Sequence, residues 1–254
     1  MSNLTCLRSQ LGVNSLLSAV NSNPKTAKNE KLNISTATLH LAPARLSGYE
    51  TCPGRSEGCT NACLNFAGNP IYMENKTKAR IKRTKALFEN RQAFLNLLAL
   101  ELHAHIERCK KAGFAPAARL NATSDIRFEA LRFELYDWVK ARINREGSTI
   151  IDMFKDDCSM YDYTKLWNRR VPDGYHLTFS LNETNQDKAQ LMIDKGYNVA
   201  VVFENKLPDT YLGRPVISGD EHDYRPIDPK GSIVGLVVKG AKGKVDTSGF
   251  VVRL

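Results

Sequence analysis

The stretch ISTATLHLAPARLSGYETCPGRSEGCTNAC, residues 34–63, passes from an alternating apolar run into a loop with three cysteines. The alternation over residues 34–41 predicts a β-strand. The Pro, Gly, Ser and Asn content of residues 52–63 predicts a loop directly after it. Cys52, Cys59 and Cys63 are separated by six and then three residues. One loop therefore brings three sulfur ligands to the end of one strand.

The composition is that of an ordinary globular protein, because 42% of the residues are hydrophobic and 25% are charged. No run approaches the roughly 18 apolar residues that span a bilayer, and the N-terminus lacks a secretory signal pattern. We therefore expect a cytoplasmic protein with no membrane partner. Six cysteines in such a protein indicate metal ligands or redox groups rather than a disulfide scaffold.

The net charge of +9 favours an anionic partner, either a small molecule such as a nucleotide or a nucleic acid. An ordinary solvated basic surface explains the charge equally well, because the lysines and arginines are spread over most of the chain. The oligomeric state is left open by the sequence.

The chain divides into a polar N-terminal arm, residues 1–33, and a single domain, residues 34–254, that carries the metal loop 52–63. Helical patterns are expected over residues 74–109, closed by Gly113, and over 128–145 and 186–195. Strands are expected at residues 34–41, 117–121, 149–154, 176–180, 198–203, 216–218 and 233–239. This alternation predicts an α/β fold, a complete or partial (β/α) barrel with mostly parallel strands.

Polar side chains follow most of the predicted strands. Because parallel α/β folds carry their chemistry at the carboxyl ends of the strands, these side chains are candidate site residues. They are Asn121, Thr123, Ser124, Asp125, Asp152, Lys155, Ser180, Asn182 and Asp220. The alternative for each Asp, Asn, Ser or Thr is a helix N-cap.

Thiolates such as those of Cys52, Cys59 and Cys63 are natural ligands of zinc and of iron–sulfur clusters. Small residues beside them, such as Gly54 and Gly58, let the backbone wrap closely around a metal centre. The missing paired CxxC motifs of a zinc ribbon favour a cluster over zinc. Cys158 is the best candidate for a fourth ligand. Three unrelated structural cysteines are the remaining alternative.

Four stretches resemble the "gene product 88" family of phage and mobile-element proteins: LAPARLSGYETCPGRSEGCTNACL (residues 41–64), RLNATSDI (119–126), SGDEHDYRPID (218–228) and IVGLVVKG (233–240). A three-cysteine loop after the first strand of a β/α repeat also resembles the radical S-adenosylmethionine (radical SAM) arrangement. There, three cysteines hold a [4Fe–4S] cluster and the open iron binds SAM. The cysteine spacing in this chain is wider than usual for that superfamily.

These resemblances imply an iron–sulfur protein of phage or plasmid origin, in the host cytoplasm, acting as a radical-SAM-like enzyme with an electron donor. Its metal ligands would be Cys52, Cys59 and Cys63. Contacts to SAM or substrate would come from Asn121, Thr123, Ser124, Asp125, Ser180 and Asn182, with Asp152, Lys155 and Asp220 as catalytic candidates. Two alternatives are a nucleic-acid-binding protein with a structural metal centre and a basic helix at residues 76–85, and a zinc-dependent hydrolase using residues 220–223.

Overall fold

Helices and strands alternate along most of the chain, for which a computed structural model describes residues 2–18, 20, 23–63, 65 and 74–254. Within these ranges the helices α1–α9 are Asn3–Leu11, Pro24–Ala27, Glu57–Asn61, Glu74–Glu89, Arg91–Ala112, Asp137–Ile143, Ile150–Phe154, Gln186–Asp194 and Ala241–Lys244. The strands β1–β10 are Leu17–Ser18, Ile34–Leu39, Ala115–Arg119, Ser159–Thr164, Tyr175–Ser180, Val199–Phe203, Thr210–Tyr211, Arg214–Ser218, Ile233–Val237 and Val251–Val252. The fold is mixed α/β.

All described strands belong to one 10-stranded sheet with the order β1-β2-β3-β4-β5-β6-β9-β8-β7, and β10 pairs beside β6. The strands from β2 to β8 in this order run parallel. At the two edges, β1 and β7 are antiparallel to their neighbours and only two residues long. Such short edge strands end a sheet. Because the two edges do not pair with each other, the sheet is open, and the prediction of a complete barrel is wrong.

One face of the sheet is covered by helices. The buried apolar side chains of α5 form one core with α1 and with β2–β5. A second apolar cluster joins α8 to β5, β6 and β9. Gly113 ends α5 in the left-handed conformation with φ 76°, as the sequence predicts. No helix in the described ranges, α5 included, has the length and apolarity needed to cross a bilayer.

The opposite face, which we call the inner face, is covered by polar segments. Because side chains alternate along a strand, it includes Thr36 of β2 and Tyr161 of β4. The side-chain amide of Asn29 donates to the hydroxyls of both, at 2.9 and 3.1 Å. Its carbonyl accepts from the backbone N–H of Asp223, at 2.8 Å. The segment at 24–32 and the loop after β8 thus meet over this face, and Tyr224 packs on Tyr161.

Each predicted strand is confirmed except the one at residues 149–154, which forms helix α7. The hydroxyl of Thr149 caps this helix by accepting from the backbone N–H of Asp152, at 3.1 Å. A short apolar run is equally compatible with a buried helix turn, and periodicity does not separate the two. The strand at this point of the sheet is β4. The helical pattern predicted over residues 128–145 forms only a 3₁₀ turn, Phe128–Ala130, and α6.

A candidate metal centre at the carboxyl edge of the sheet

The loop that carries Cys52 lies between the ends of β2 and β3. The Thr51 hydroxyl donates to the carbonyl of Ala42 at 2.7 Å, and the Thr51 carbonyl accepts from the backbone N–H of Asp125 at 2.7 Å. The Cys52 sulfur accepts from the N–H of Ala44 at 3.4 Å and lies 3.9 Å from the carbonyl oxygen of Thr123. The cysteine loop and residues 121–125 are therefore neighbours.

The segment that follows β5 contacts α3, the helix that carries Cys59. The Ser56 hydroxyl caps α3 by accepting from the backbone N–H of Cys59 at 3.2 Å. The carboxylate of Glu183 accepts from that hydroxyl and from the N–H of Gly58, both at 2.7 Å. Asn182 adds a 3.3 Å hydrogen bond to the carbonyl of Gly54. A negative charge at the first turn of α3 also suits the helix dipole.

Glycine is required where the loop meets its neighbours. A Cβ atom on Gly58 would lie 1.9 Å from the Ser248 hydroxyl and 2.8 Å from the Cβ of Phe250. A Cβ on Gly54 would lie 2.9 Å from the Cβ of Lys165, which directly follows β4. The ends of β2–β5 and the C-terminal segment thus surround the loop. That these glycines let the backbone wrap around a metal centre stays a prediction.

The three thiols influence one another. Burial raises the pKa of Cys52, and it raises the pKa of Cys63 to about 11. The charge of Cys59 adds to both increases, and that of Cys52 adds to the increase at Cys63. The sulfurs therefore lie within electrostatic range of each other. With these pKa values Cys52 and Cys63 are protonated at neutral pH, and a bound metal would displace their protons.

Arg80 of α4 places a buried positive charge beside this group. Its residue is 4% exposed, and burial lowers its pKa to about 10. It donates to the side-chain carbonyl of Asn65. Among the described residues, Cys63 is the acidic group that opposes this decrease, and no carboxylate forms an ion pair with Arg80. Cys63 therefore raises the pKa of Arg80, while burial keeps the Cys63 thiol itself protonated at neutral pH.

Two further cations face the cysteines. Arg55 forms an ion pair with Glu50 at 3.0 Å, and the charges of Cys52 and Cys59 help to raise its pKa. Lys165 opposes the increase in the pKa of Cys63. Each thiol therefore has a positive group near it, which is the setting that stabilises thiolate ligands.

The described part of the chain contains no three His, Cys, Asp or Glu side chains grouped so that they could hold a metal ion. Three thiolates on one zinc ion would be about 3.8 Å apart, given Zn–S bonds of about 2.3 Å. In a four-iron cluster each thiolate binds a different iron, so the sulfurs lie farther apart. A metal centre on Cys52, Cys59 and Cys63, whether a cluster or zinc, stays a prediction.

The polar residues after β3 make hydrogen bonds and an ion pair that stabilise their own segment, beside the cysteine loop. The side-chain carbonyl of Asn121 accepts from the Ser124 hydroxyl at 2.9 Å, and the Thr123 hydroxyl donates to the carbonyl of Leu41 at 2.6 Å. Asp125 forms a 3.0 Å ion pair with Arg169. These bonds fix the segment against which Cys52 lies. A contact between these residues and SAM stays a prediction.

Ser180 lies at the end of β5, and its carbonyl accepts from the side-chain amide of Asn185 at 3.0 Å. This bond shapes the turn that presents Asn182 and Glu183 to the cysteine loop. A cofactor contact from Ser180 or Asn182 likewise stays a prediction.

Asp152 and Lys155 are not at the carboxyl edge. The predicted strand at 149–154 is helix α7, which precedes β4, so both residues lie at the amino end of that strand. They form a 3.4 Å ion pair with each other at the surface. Cys158 also precedes β4 and is 2% exposed in the core beneath the helices. The predicted positions of all three, including Cys158 as a fourth ligand, are therefore wrong.

Asp220 lies at the carboxyl edge, after β8. It accepts from the Lys239 ammonium at 2.6 Å and from the N–H of Val237 at 3.1 Å. Burial raises its pKa, but these two hydrogen bonds outweigh burial, and the net shift is downward. Nearby, Asp223 is fully buried and forms a 2.9 Å ion pair with Arg119. Asp220 and Asp223 are thus both engaged in ion pairs.

The sequence did not point to Asp162 of β4. Its carboxylate accepts from the backbone N–H groups of Leu120 and Asn121 at 3.2 and 2.8 Å, and from the Tyr175 hydroxyl at 2.9 Å. It therefore links the segment after β3 to Tyr175 at the start of β5, and burial raises its pKa to about 6. The alternating run SMYDYT would have revealed this strand.

Comparison with known proteins gives one match. A family model described as Gene product 88 matches residues 15–254, which is nearly the whole chain. No curated protein and no solved structure matches the chain. The chain belongs to the Gene product 88 family.

Proposed function

We propose that this protein holds a [4Fe–4S] cluster on Cys52, Cys59 and Cys63. The observation that carries this proposal is that one loop holds all three cysteines and is fixed between the ends of β2, β3 and β5. Buried Arg80 lies within electrostatic range of Cys63 in this loop. A free thiol with a pKa of about 11 is neutral at pH 7 and leaves the charge of Arg80 unbalanced. A coordinated cysteine is deprotonated and supplies the missing negative charge.

In this proposal the residues around the cysteines position the thiolates and balance their charge. Glu183 and Ser56 hold α3, so that Cys59 keeps its position. The N–H of Ala44 donates to the sulfur of Cys52, a contact of the kind that tunes thiolate ligands. Arg55, Arg80 and Lys165 compensate the negative charge that three thiolates bring together.

The radical-SAM-like part of the proposal concerns the coordination site that three protein ligands leave open. When bound, a [4Fe–4S] cluster supplies one-electron reduction at that site, and SAM is the small molecule that we propose to bind there. Thr123 and Asn182 are the closest predicted contacts, because both touch the cysteine loop. In the same proposal the open sheet is a partial (β/α) barrel. The reduction of the cluster also requires an electron donor as a partner. Asp152 and Lys155 have no part in it.

Anaerobic purification tests the proposal. We expect iron and acid-labile sulfide in equal amounts, about four of each per chain, and a visible absorption band that oxygen bleaches. Addition of SAM to the reduced protein should change its electron paramagnetic resonance spectrum. Zinc without iron or sulfide would overturn the cluster and favour a zinc protein. A cluster whose spectrum is indifferent to SAM would overturn only the SAM part.

A further inference from the structure

A groove of about 650 Å³ adjoins the cysteine loop. Glu50 and Pro53 of that loop form one side, the ends of α4 and α5 around Phe88 and Arg91 form a second, and residues 125–132 form the third. Its volume lies within the range of about 300–1,000 Å³ that is typical of ligand sites.

Three arginines and three carboxylates line the groove, and two of the carboxylates already pair with other arginines. Arg91, Arg127 and Arg132 line it, are exposed, and form no ion pair with a carboxylate within the described ranges. Arg127 donates to the side-chain carbonyl of Asn168 at 2.9 Å. Guanidinium groups that form no ion pair can bind the oxygens of phosphate groups.

Each carboxylate that lines the same groove has a side-chain partner. Glu50 pairs with Arg55 at 3.0 Å, and Asp125 pairs with Arg169 at 3.0 Å. Glu89 accepts from the Tyr49 hydroxyl at 3.0 Å. Arg55 and Arg169 balance Glu50 and Asp125, whereas the neutral Tyr49 leaves the charge of Glu89 in place. In the described ranges the three arginines therefore outnumber the one lining carboxylate that has no cationic partner.

An aromatic surface lies at the rim. Phe88 is 42% exposed and stacks on Tyr49, with ring centroids 4.6 Å apart and planes 11° apart. An exposed ring that a second ring holds in place is a platform on which a nucleobase can stack. Stacking makes no distinction between bases, because every base has a π-face.

A row of cations continues from the platform along α4. Lys78, Lys82 and Lys85 are exposed and spaced four and three residues apart, so they share one face of the helix, where Lys78 also pairs with Glu74 at 3.0 Å. From Lys78 to Phe88, ten residues further along the helix, the distance is about 15 Å. This length exceeds one nucleotide, which favours a strand over a mononucleotide.

We propose that this groove and the adjoining face of α4 bind single-stranded nucleic acid. The phosphates lie against Arg91, Arg127, Arg132 and the α4 lysines, and a base stacks on Phe88. Binding does not depend on the cluster. That the strand is also the substrate of the centre rests on the function proposed above.

Fluorescence anisotropy with labelled 12-nucleotide single strands of DNA and RNA tests the proposal, using the purified full-length protein. We expect Phe88→Ala to weaken binding about 5- to 100-fold. The triple variant Arg91→Gln, Arg127→Gln, Arg132→Gln should lower the slope of log affinity against log salt by about 2. A triple variant with the same charge loss elsewhere, Lys195→Gln, Lys206→Gln, Lys230→Gln, should keep the wild-type slope and bind like wild type.

Equal effects of the two triple variants would overturn the proposal, since binding would then follow net charge alone. Tighter binding of a 12-base-pair duplex than of the single strand would also overturn it. A preference for DNA or RNA identifies the strand. Iron content is measured on the same samples, so failure of the cluster and failure of strand binding are separate results.

Discussion

The carboxylate of Glu183 accepts a 2.7 Å hydrogen bond from the backbone N–H of Gly58, which ties the end of β5 to the first turn of α3. Helix α3 has only five residues, and such a short helix is not stable alone. The position of Cys59 therefore depends on a residue far away in sequence. This dependence makes Glu183 a direct test of how the cysteine loop is organised.

Replacing Glu183 with alanine should lower both metal content and stability. The change removes two hydrogen bonds to a carboxylate and leaves the N–H of Gly58 unpaired. We expect a loss of about 1.5–3 kcal/mol in the free energy of unfolding. Urea unfolding and iron analysis measure the two effects. Glu204→Ala is the matched control, because Glu204 forms a surface pair with Arg253, and it should cost under about 1 kcal/mol. Unchanged iron content in Glu183→Ala would argue against this organisation.

Gly58→Ala should displace α3 from the C-terminal segment. The added Cβ would meet the Ser248 hydroxyl at 1.9 Å, and overpacking of this kind costs about 1–3 kcal/mol. We expect reduced iron binding and a lower melting temperature. In the control Gly213→Ala the Cβ meets no atom within 4 Å, although φ is +70°. That variant should be destabilised by backbone strain but keep its iron. Equal iron loss in both variants would contradict the packing argument.

Arg80→Met tests the charge balance of the metal centre. If Arg80 neutralises metal-bound thiolates, its loss leaves their charge uncompensated, and iron content per chain should fall at least severalfold. The methionine keeps most of the apolar side-chain volume, so helix α4 should remain folded by circular dichroism. Lys82→Met on the exposed face of the same helix is the control and should bind iron like wild type. Full iron content in Arg80→Met would show that this charge has no part in holding the cluster.

His176 should make stability depend on pH. Burial, with the nearby charge of Arg225, lowers its pKa to about 4 from the usual value near 6.5. Between these two values the unfolded chain binds a proton that the folded chain does not, so stability falls as the pH drops from 6.5 towards 4. The contribution lost at pH 5 is about 2 kcal/mol.

The measurement compares wild type with His176→Gln by urea unfolding at pH 7 and pH 5. The stability advantage of wild type over the variant should shrink by about 2 kcal/mol at pH 5. Asp162, whose raised pKa has the opposite effect, is present in both proteins and cancels. An advantage that is the same at both pH values would show that the ring is not held in its neutral form.

Local sequence patterns predicted most of the sheet, because alternating apolar runs and their flanking turns are local signals. They failed at residues 149–154, where Thr149 caps a buried helical turn whose apolar run resembles a strand. That error moved Asp152, Lys155 and Cys158 to the wrong edge of the sheet. Local patterns also could not predict whether the sheet closes into a barrel, because closure depends on how β1 and β7 end the two edges.

The cysteine loop was predictable from its residue types, and its neighbours after β3 and β5 followed from the geometry of parallel strands. The partners of those neighbours were not predictable. Glu183 meets Gly58 across 125 residues, and Arg119 meets Asp223 across 104. Such pairs depend on tertiary packing, which no local pattern records. The same holds for Arg80, whose role depends on its burial beside Cys63.

Iron and acid-labile sulfide analysis of anaerobically purified wild type, Cys59→Ala and Cys109→Ala tests the central claim most directly. Cys59 lies in the metal loop, whereas Cys109 is buried in α5 beside His105. We predict about four iron and four sulfide per chain in wild type and in Cys109→Ala, with a loss of most of both in Cys59→Ala. Wild-type protein without sulfide, or equal iron in all three proteins, would contradict a cluster on this loop.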